Sequence, residues 1–115
     1  LHSGEASLFG LALSDTGLAY AVGQSGTVLR SKDGGDSWKA ITSNSDAILM
    51  DVAIRADGKA VATGIRQALS ISPTSSQARV LNHDAFLESW YSDIAVLGNA
   101  FYAVGEQAKV IKISL

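Results

Sequence analysis

The sequence predicts an all-β protein of three consecutive blades, each a four-stranded antiparallel meander, and three observations carry that expectation. Ala21-Val22-Gly23 returns as Ala62-Thr63-Gly64 and again as Ala103-Val104-Gly105, with the glycines 41 residues apart each time. Between the glycines lie short apolar runs rich in Val, Ile, Leu and Ala, separated by polar turn clusters, which is the patterning of strands rather than helices. The chain has 115 residues, 47% hydrophobic and 17% charged, which is too apolar for disorder and suits one ordinary domain.

Taken in order, the first copy offers strands near residues 8 to 13, 18 to 23, 27 to 31 and 37 to 42. Ser14-Asp15-Thr16-Gly17 closes the first hairpin and Gly23-Gln24-Ser25-Gly26 the second, with Gly or Asp where the turn demands positive φ. Asp33-Gly34-Gly35-Asp36 leads into the fourth strand. The same plan recurs about 41 residues on, with Val52-Ala53-Ile54 and Ile94-Ala95-Val96 answering Leu11-Ala12-Leu13. Repeat units fall at about 8–48, 49–90 and 91–115, and the last ends at its third strand, so it lacks an outer one.

A meander of about 40 residues is the size of a β-propeller blade. Each first strand alternates large, small, large and is apolar on both faces, as expected where blades stack and converge on an axis. The competing arrangement is a small open sandwich or barrel of about 11 strands, because strands alone do not fix how sheets pack. Three blades alone would leave the outer faces of the first and third in water. The chain is therefore expected to be the C-terminal portion of a larger closed propeller, its other blades supplied by the parent chain or by self-association. The absence of an initiator Met and of a leader-like start agrees with Leu1 being a cut end.

Composition narrows the partners. A formal net charge of −2 without a basic run draws the chain to neither nucleic acid nor anionic lipid. Cys is absent, which rules out disulfides and thiol chemistry. Apolar stretches fall far short of the roughly 20 residues that a membrane helix needs, so no membrane insertion is expected. No cofactor and no metal site is indicated. His83 with Asp84 is far from a ligand set, His2 lies near the N-terminus, and no glycine-rich phosphate loop opens a helix.

The most specific string is Ser31-Lys32-Asp33-Gly34-Gly35-Asp36-Ser37-Trp38. Asp33 can accept from the backbone N–H groups that follow it, and Ser31 and Ser37 can tie the strand ends. Gly35 supplies unusual backbone, and Trp38 an apolar cover. The string resembles the Asp box of bacterial neuraminidase repeats. Its structural members are Ser31, Asp33, Gly35, Ser37 and Trp38; calcium binding or catalysis by Asp33 and Asp36 is the competing use. The wider run from Ala19 to Trp38 is similar to propellers of the photosystem II stability and assembly factor type. In the second copy Ser72 to Arg79 occupies the box register, with Thr74 for Asp33 and Arg79 for Trp38, so that box has decayed.

The resemblance implies a non-catalytic, extracytoplasmic scaffold that binds other proteins, such as a membrane-complex subunit. It equally implies two alternatives, a fragment of a sialidase-like glycoside hydrolase and a carbohydrate-binding propeller. Sialidase chemistry would require an arginine cluster for a carboxylate. Here only Arg30, Arg55, Arg66 and Arg79 are available, and the blade plan puts Arg55 and Arg66 at opposite ends. Glu88 with Glu106, or Asp84 with Glu88, is the candidate carboxylate pair, but no spacing fixes their separation. No catalytic residues are assigned. Binding is expected at the end carrying the second-to-third-strand turns and the inter-blade connections. The candidate surface there comprises Gln24, Arg66, Gln67, Trp90, Tyr91 and Glu106. Asn82 to Tyr91, with Phe86, Leu87 and Trp90, is expected as an aromatic loop or short helix at that end, packing over the blade edge in preference to contacting a partner.

Overall fold

The computed structural model describes residues 6–81 and 90–115. It contains three antiparallel sheets. In the first, β1 (Leu8–Leu13), β2 (Ala19–Gly23), β3 (Val28–Ser31) and β4 (Lys39–Ala40) follow in chain order. The second repeats the plan with β5 (Leu49–Ile54), β6 (Ala60–Gly64), β7 (Ala68–Ile71) and β8 (Arg79–Val80). The third has β9 (Tyr91–Leu97), β10 (Ala100–Gly105) and β11 (Val110–Ile113). The units therefore run four, four, three, as the strand pattern predicts. Among the described residues there is no α-helix, and no helix is long and apolar enough to cross a membrane.

The sheets stack face to face, and the stacking makes the core. Between blades 1 and 2 lie Tyr20, Val22, Val28, Leu49, Val52 and Leu69, all buried. Between blades 2 and 3 lie Val61, Ala68, Tyr91, Phe101 and Ile113. Blade 2 is covered on both faces, which its doubly apolar strands require. The far faces of the outer blades remain open: Leu11 and Leu13 of β1 are 59% and 68% exposed, and Leu97 and Val110 of blade 3 are 73% and 67% exposed.

The 41-residue glycine spacing has a steric cause. Each repeat glycine ends a second strand where the chain entering the first strand of the same blade crosses it. A Cβ on Gly23 would lie 2.0 Å from the Ser7 carbonyl oxygen, one on Gly64 2.0 Å from that of Ile48, and one on Gly105 1.8 Å from that of Trp90. Those same carbonyls accept the N–H of Gln24, Ile65 and Glu106. Opposite each glycine the first strand bulges by one residue, at Phe9, Met50 and Ser92.

The fourth strand is shorter than expected. Lys39–Ala40 replaces a strand over 37–42 because the preceding turn extends through Trp38. Past Ala40 the chain changes partner: Thr42 donates its N–H to Ser76 and accepts that of Ala78, joining blade 1 to the outer turn of blade 2.

Candidate functional site

Antiparallel meanders give every blade two ends. The first-to-second-strand turn and the third-to-fourth-strand connection share one end, here called the lower. The second-to-third-strand turns and the inter-blade connections share the upper end.

At the lower end the Asp box forms a closed network. The Ser31 hydroxyl donates to Asp33 Oδ1 at 2.7 Å and accepts the N–H of Gly35 at 2.9 Å. Asp33 Oδ1 also accepts the N–H of Ser37 at 2.9 Å, and Oδ2 accepts the Ser37 hydroxyl at 2.5 Å. These bonds, the Ser37 hydroxyl first, hold the Asp33 carboxyl down to about 2. Gly34 and Gly35 take φ of +73° and +96°, and Trp38 closes the turn by donating Nε1–H to the Gly35 carbonyl at 2.9 Å. All the donors to the carboxylate named here lie within the box itself.

Two arginines at this end work across seams. Buried Arg30 of β3 reaches into blade 2 and donates Nη1–H to the carbonyls of Ser72 at 3.1 Å and Ser75 at 2.7 Å. Arg55, in the β5–β6 turn, pairs in a bidentate manner with Asp57 and donates Nη1–H to the Asn99 carbonyl of blade 3 at 2.9 Å. Its guanidinium lies 5.6 Å from the Phe101 ring centre. Arg55 in turn holds Asp57 down to about 2.

The upper end carries three equivalent tight turns, 24–26, 65–67 and 106–108. The central residue of each, Ser25, Arg66 and Gln107, is left-handed, with φ of +57°, +62° and +57°. Gln24 is exposed, and its side-chain oxygen accepts the N–H of Ser7. Gln67 Oε1 accepts the hydroxyl of Ser45 from the connection between blades 1 and 2. Arg66 and Glu106 are exposed. Trp90 is 51% exposed and forms an isolated bridge with Ile65, which seats it beside the Arg66 turn. Gln24, Arg66, Gln67, Trp90 and Glu106 thus share one end, away from the Asp box.

Tyr91 corrects the expectation. It is only 2% exposed, because it opens β9 and pairs with Gly105 across the bulge, the position that buried Leu49 holds in blade 2. It belongs to the core and not to the surface. The expected aromatic loop is covered here only by Trp90 and Tyr91, and Asn82 to Ser89 lie outside the described residues, as do His2, His83, Asp84 and Glu88.

The structure also joins residues that the sequence reading does not single out. The N–H of Ile94 in blade 3 donates to Asp51 Oδ2 of blade 2 at 3.1 Å and to Asp93 Oδ1 at 2.9 Å. Burial first, and then the hydrogen-bonded carboxyl of Asp93, push Asp51 up to about 6. A signal for this pair exists in the sequence: a carboxylate stands directly before the apolar triplet of the first strand in two of three copies.

No family model and no curated protein sequence matches this chain. Among solved structures it is similar to YCF48 from Cyanidioschyzon merolae, with a TM-score of 0.80 at 19% identity. That match covers 97% of this chain and 38% of the other. The fold is that of β-propeller blades. A structure of YCF48 bound to D1 peptide agrees, with a TM-score of 0.79 at 18% identity over 94% of this chain and 38% of that one. A virginiamycin B lyase from Staphylococcus aureus with quinupristin gives 0.47 at 13% identity, covering 100% of this chain and 43% of the lyase. The propeller blades described here thus span well under half the length of those chains.

Proposed function

We propose that these blades belong to a non-catalytic propeller that binds an extended segment of another protein at its upper end. The observation that carries this reading is the juxtaposition of exposed Arg66, held in a left-handed turn, with the half-exposed Trp90 that bridges to Ile65. A guanidinium offers a fixed fork of donors to peptide carbonyls or a carboxylate, and an adjacent indole adds apolar area at little entropic cost. Support comes also from the likeness to a YCF48 structure bound to D1 peptide. A role like that of the photosystem II stability and assembly factors, outside the cytoplasm, rests on the Ala19–Trp38 resemblance.

The open faces of β1 and of blade 3 suit further blades, from the parent chain or a second copy. Arg30 and Arg55 are committed to backbone carbonyls across two seams, which favours the binding reading over the hydrolase alternative.

The test is fluorescence anisotropy of labelled segments from a candidate membrane-complex subunit. Binding lost in the Arg66→Ala, Trp90→Ala double variant, with an unchanged circular dichroism spectrum, is the expected result. Binding unaffected by the pair would overturn the site, and turnover of aryl glycosides would overturn the non-catalytic reading.

A further inference from the structure

We propose that the two open faces of this chain are complementary, so that blade 3 of one copy stacks on blade 1 of a second and two copies close a ring of six blades. The inference rests on the reading that these faces take further blades, and it commits them to one occupant. What carries it is that the same seam already exists inside the chain, between blades 1 and 2.

Blade 1 turns one face of its meander to blade 2, with Ala12, Tyr20, Val22 and Val28 in the shared core and Arg30 latched beside them. In the ladder Tyr20 pairs with Ala12 and Arg30, and Val22 with Val28. Blade 3 repeats this set at the same register: Tyr102 pairs with Ala95 and Lys112, and Val104 with Val110. Their strand neighbours Ile94, Phe101, Ala103 and Ile113 pack on blade 2, so alternation turns the set to the open side. Of the five positions only one differs, lysine standing for arginine. Repeat architecture does not impose the match, because blade 2 has Ala53, Val61, Thr63, Ala68 and Ser70 at these positions. Tyr20 and Val28 are buried, whereas Val104 and Val110 are exposed.

The receiving face is matched as well. Blade 2 meets blade 1 with Leu49, Val52, Ile54, Ala62 and Leu69. At the same register blade 1 holds Leu8, Leu11, Leu13, Ala21 and Leu29 on its own open side. Four of these, Leu8, Leu11, Ala21 and Leu29, line an apolar groove with Phe9 and Trp38. Inside the chain the equivalent residues of blade 2 share a core with Tyr20, which makes the groove the seat for Tyr102 of the second copy. Charge agrees. Arg30 reaches the connection after β7, so Lys112 in its place faces the connection after β3 of the other copy, where Asp33 and Asp36 outnumber Lys32.

Closure follows from the number of blades. Two copies of three sheets bring six, within the roughly four to eight of known propellers, whereas three copies would bring nine. Both seams of the ring are then identical, and neither apolar face is left in water.

The test is sedimentation equilibrium of the 115-residue chain, where a species of twice the 12.0 kDa mass is expected. Leu11→Glu alters only the open face of blade 1 and Val110→Glu only that of blade 3. Both side chains are more than half exposed, so the variants should keep the circular dichroism spectrum of the unaltered chain. Each variant alone should be monomeric. An equimolar mixture should recover a dimer, because one seam then joins the unaltered face of each. The proposal is overturned if the unaltered chain is monomeric, if it forms a series of oligomers that lengthens with concentration, or if the mixture stays monomeric. A dimer that survives in either variant would mean that like faces pair, and equally overturns it. Segment binding at the upper end is read separately by anisotropy, so its failure leaves the dimer standing and a monomer leaves the upper-end reading standing.

Discussion

The connections that follow β3 and β7 occupy one register, 41 residues apart, and are held by different means. In blade 1 the loop closes on itself: Asp33 and Ser31 supply acceptors to Gly35 and Ser37, and Trp38 locks the far side. In blade 2 the corresponding Ser72 and Thr74 hydroxyls meet at only 3.4 Å, the local bonds run between Ser72, Ser75 and Gln77, and Arg30 of blade 1 adds donors from outside to the Ser72 and Ser75 carbonyls. One loop is thus closed by its own side chains, the other held by local bonds and by a latch from the neighbouring blade. A decayed motif does not imply a loose loop, because backbone carbonyls accept a guanidinium whatever side chains surround them.

The sharpest way to break the contrast is to remove the external holder. Arg30→Met should cost about 2 kcal/mol, since it deletes two hydrogen bonds from a charged donor and leaves the Ser75 carbonyl without one, while Ser72 keeps the Ser75 N–H. Hydrogen exchange should then rise around Ser72 to Gln77 while the Asp box keeps its protection; equal loosening of both loops would contradict the division.

The complementary change, Ser31→Ala, removes a buried hydroxyl that donates once and accepts twice. A loss of about 2 kcal/mol is expected, with faster exchange at Gly35 and Ser37 and none at Ser75. Urea denaturation of the two variants and their combination should show weak coupling if the loops are independent.

Acid separates the loops by charge. Asp33 is held below its unfolded value, so its contribution is complete above about pH 4 and fades as pH falls towards 2. Thr74 cannot titrate, and the blade 2 loop should hold over that window. Asp57 fades with Asp33, so residue-resolved NMR is the suitable readout. Asp51 runs the other way: its raised value means the stability it contributes is present below about pH 4 and lost as pH rises through about 6. The contribution of Asp51 should therefore be larger near pH 4.5 than at pH 7, and Asp51→Asn should flatten that difference in the thermal midpoint.

The smallest effect belongs to Thr74→Asp. The new carboxylate would find Ser76 and buried Ala78 where the intact box has Gly35 and Ser37, so a change within about 0.5 kcal/mol is expected. A large gain would mean that the carboxylate alone, without its serine and glycine partners, makes the box.

These loops also explain what was legible in the sequence. The Asp box could be read because donors and acceptors fall within eight consecutive residues. The strands could be read because their alternation is local. The Arg30 latch could not, since its acceptors are carbonyls 42 and 45 residues away, and a carbonyl leaves no mark in the sequence. Tyr91 was misplaced because aromatic neighbours suggested a surface loop, whereas the bulge before Asp93 decides which way its ring turns. The Asp51 and Asp93 pair left a trace, a charge in each of two apolar strands, but only stacking reveals that the two meet.

The glycine crossings at Gly23, Gly64 and Gly105 have a consequence for how such chains grow. At each crossing main chain meets main chain, so the fit asks nothing of side chains except that one be missing. A gene segment copied in tandem carries its own crossing with it and needs no matched change elsewhere to seat the new blade. Everything else in the copy is then free to diverge, which is how two loops of common register came to be held so differently. Copy number is the easily altered variable of this architecture, and the repeat glycine is the part that must be inherited intact.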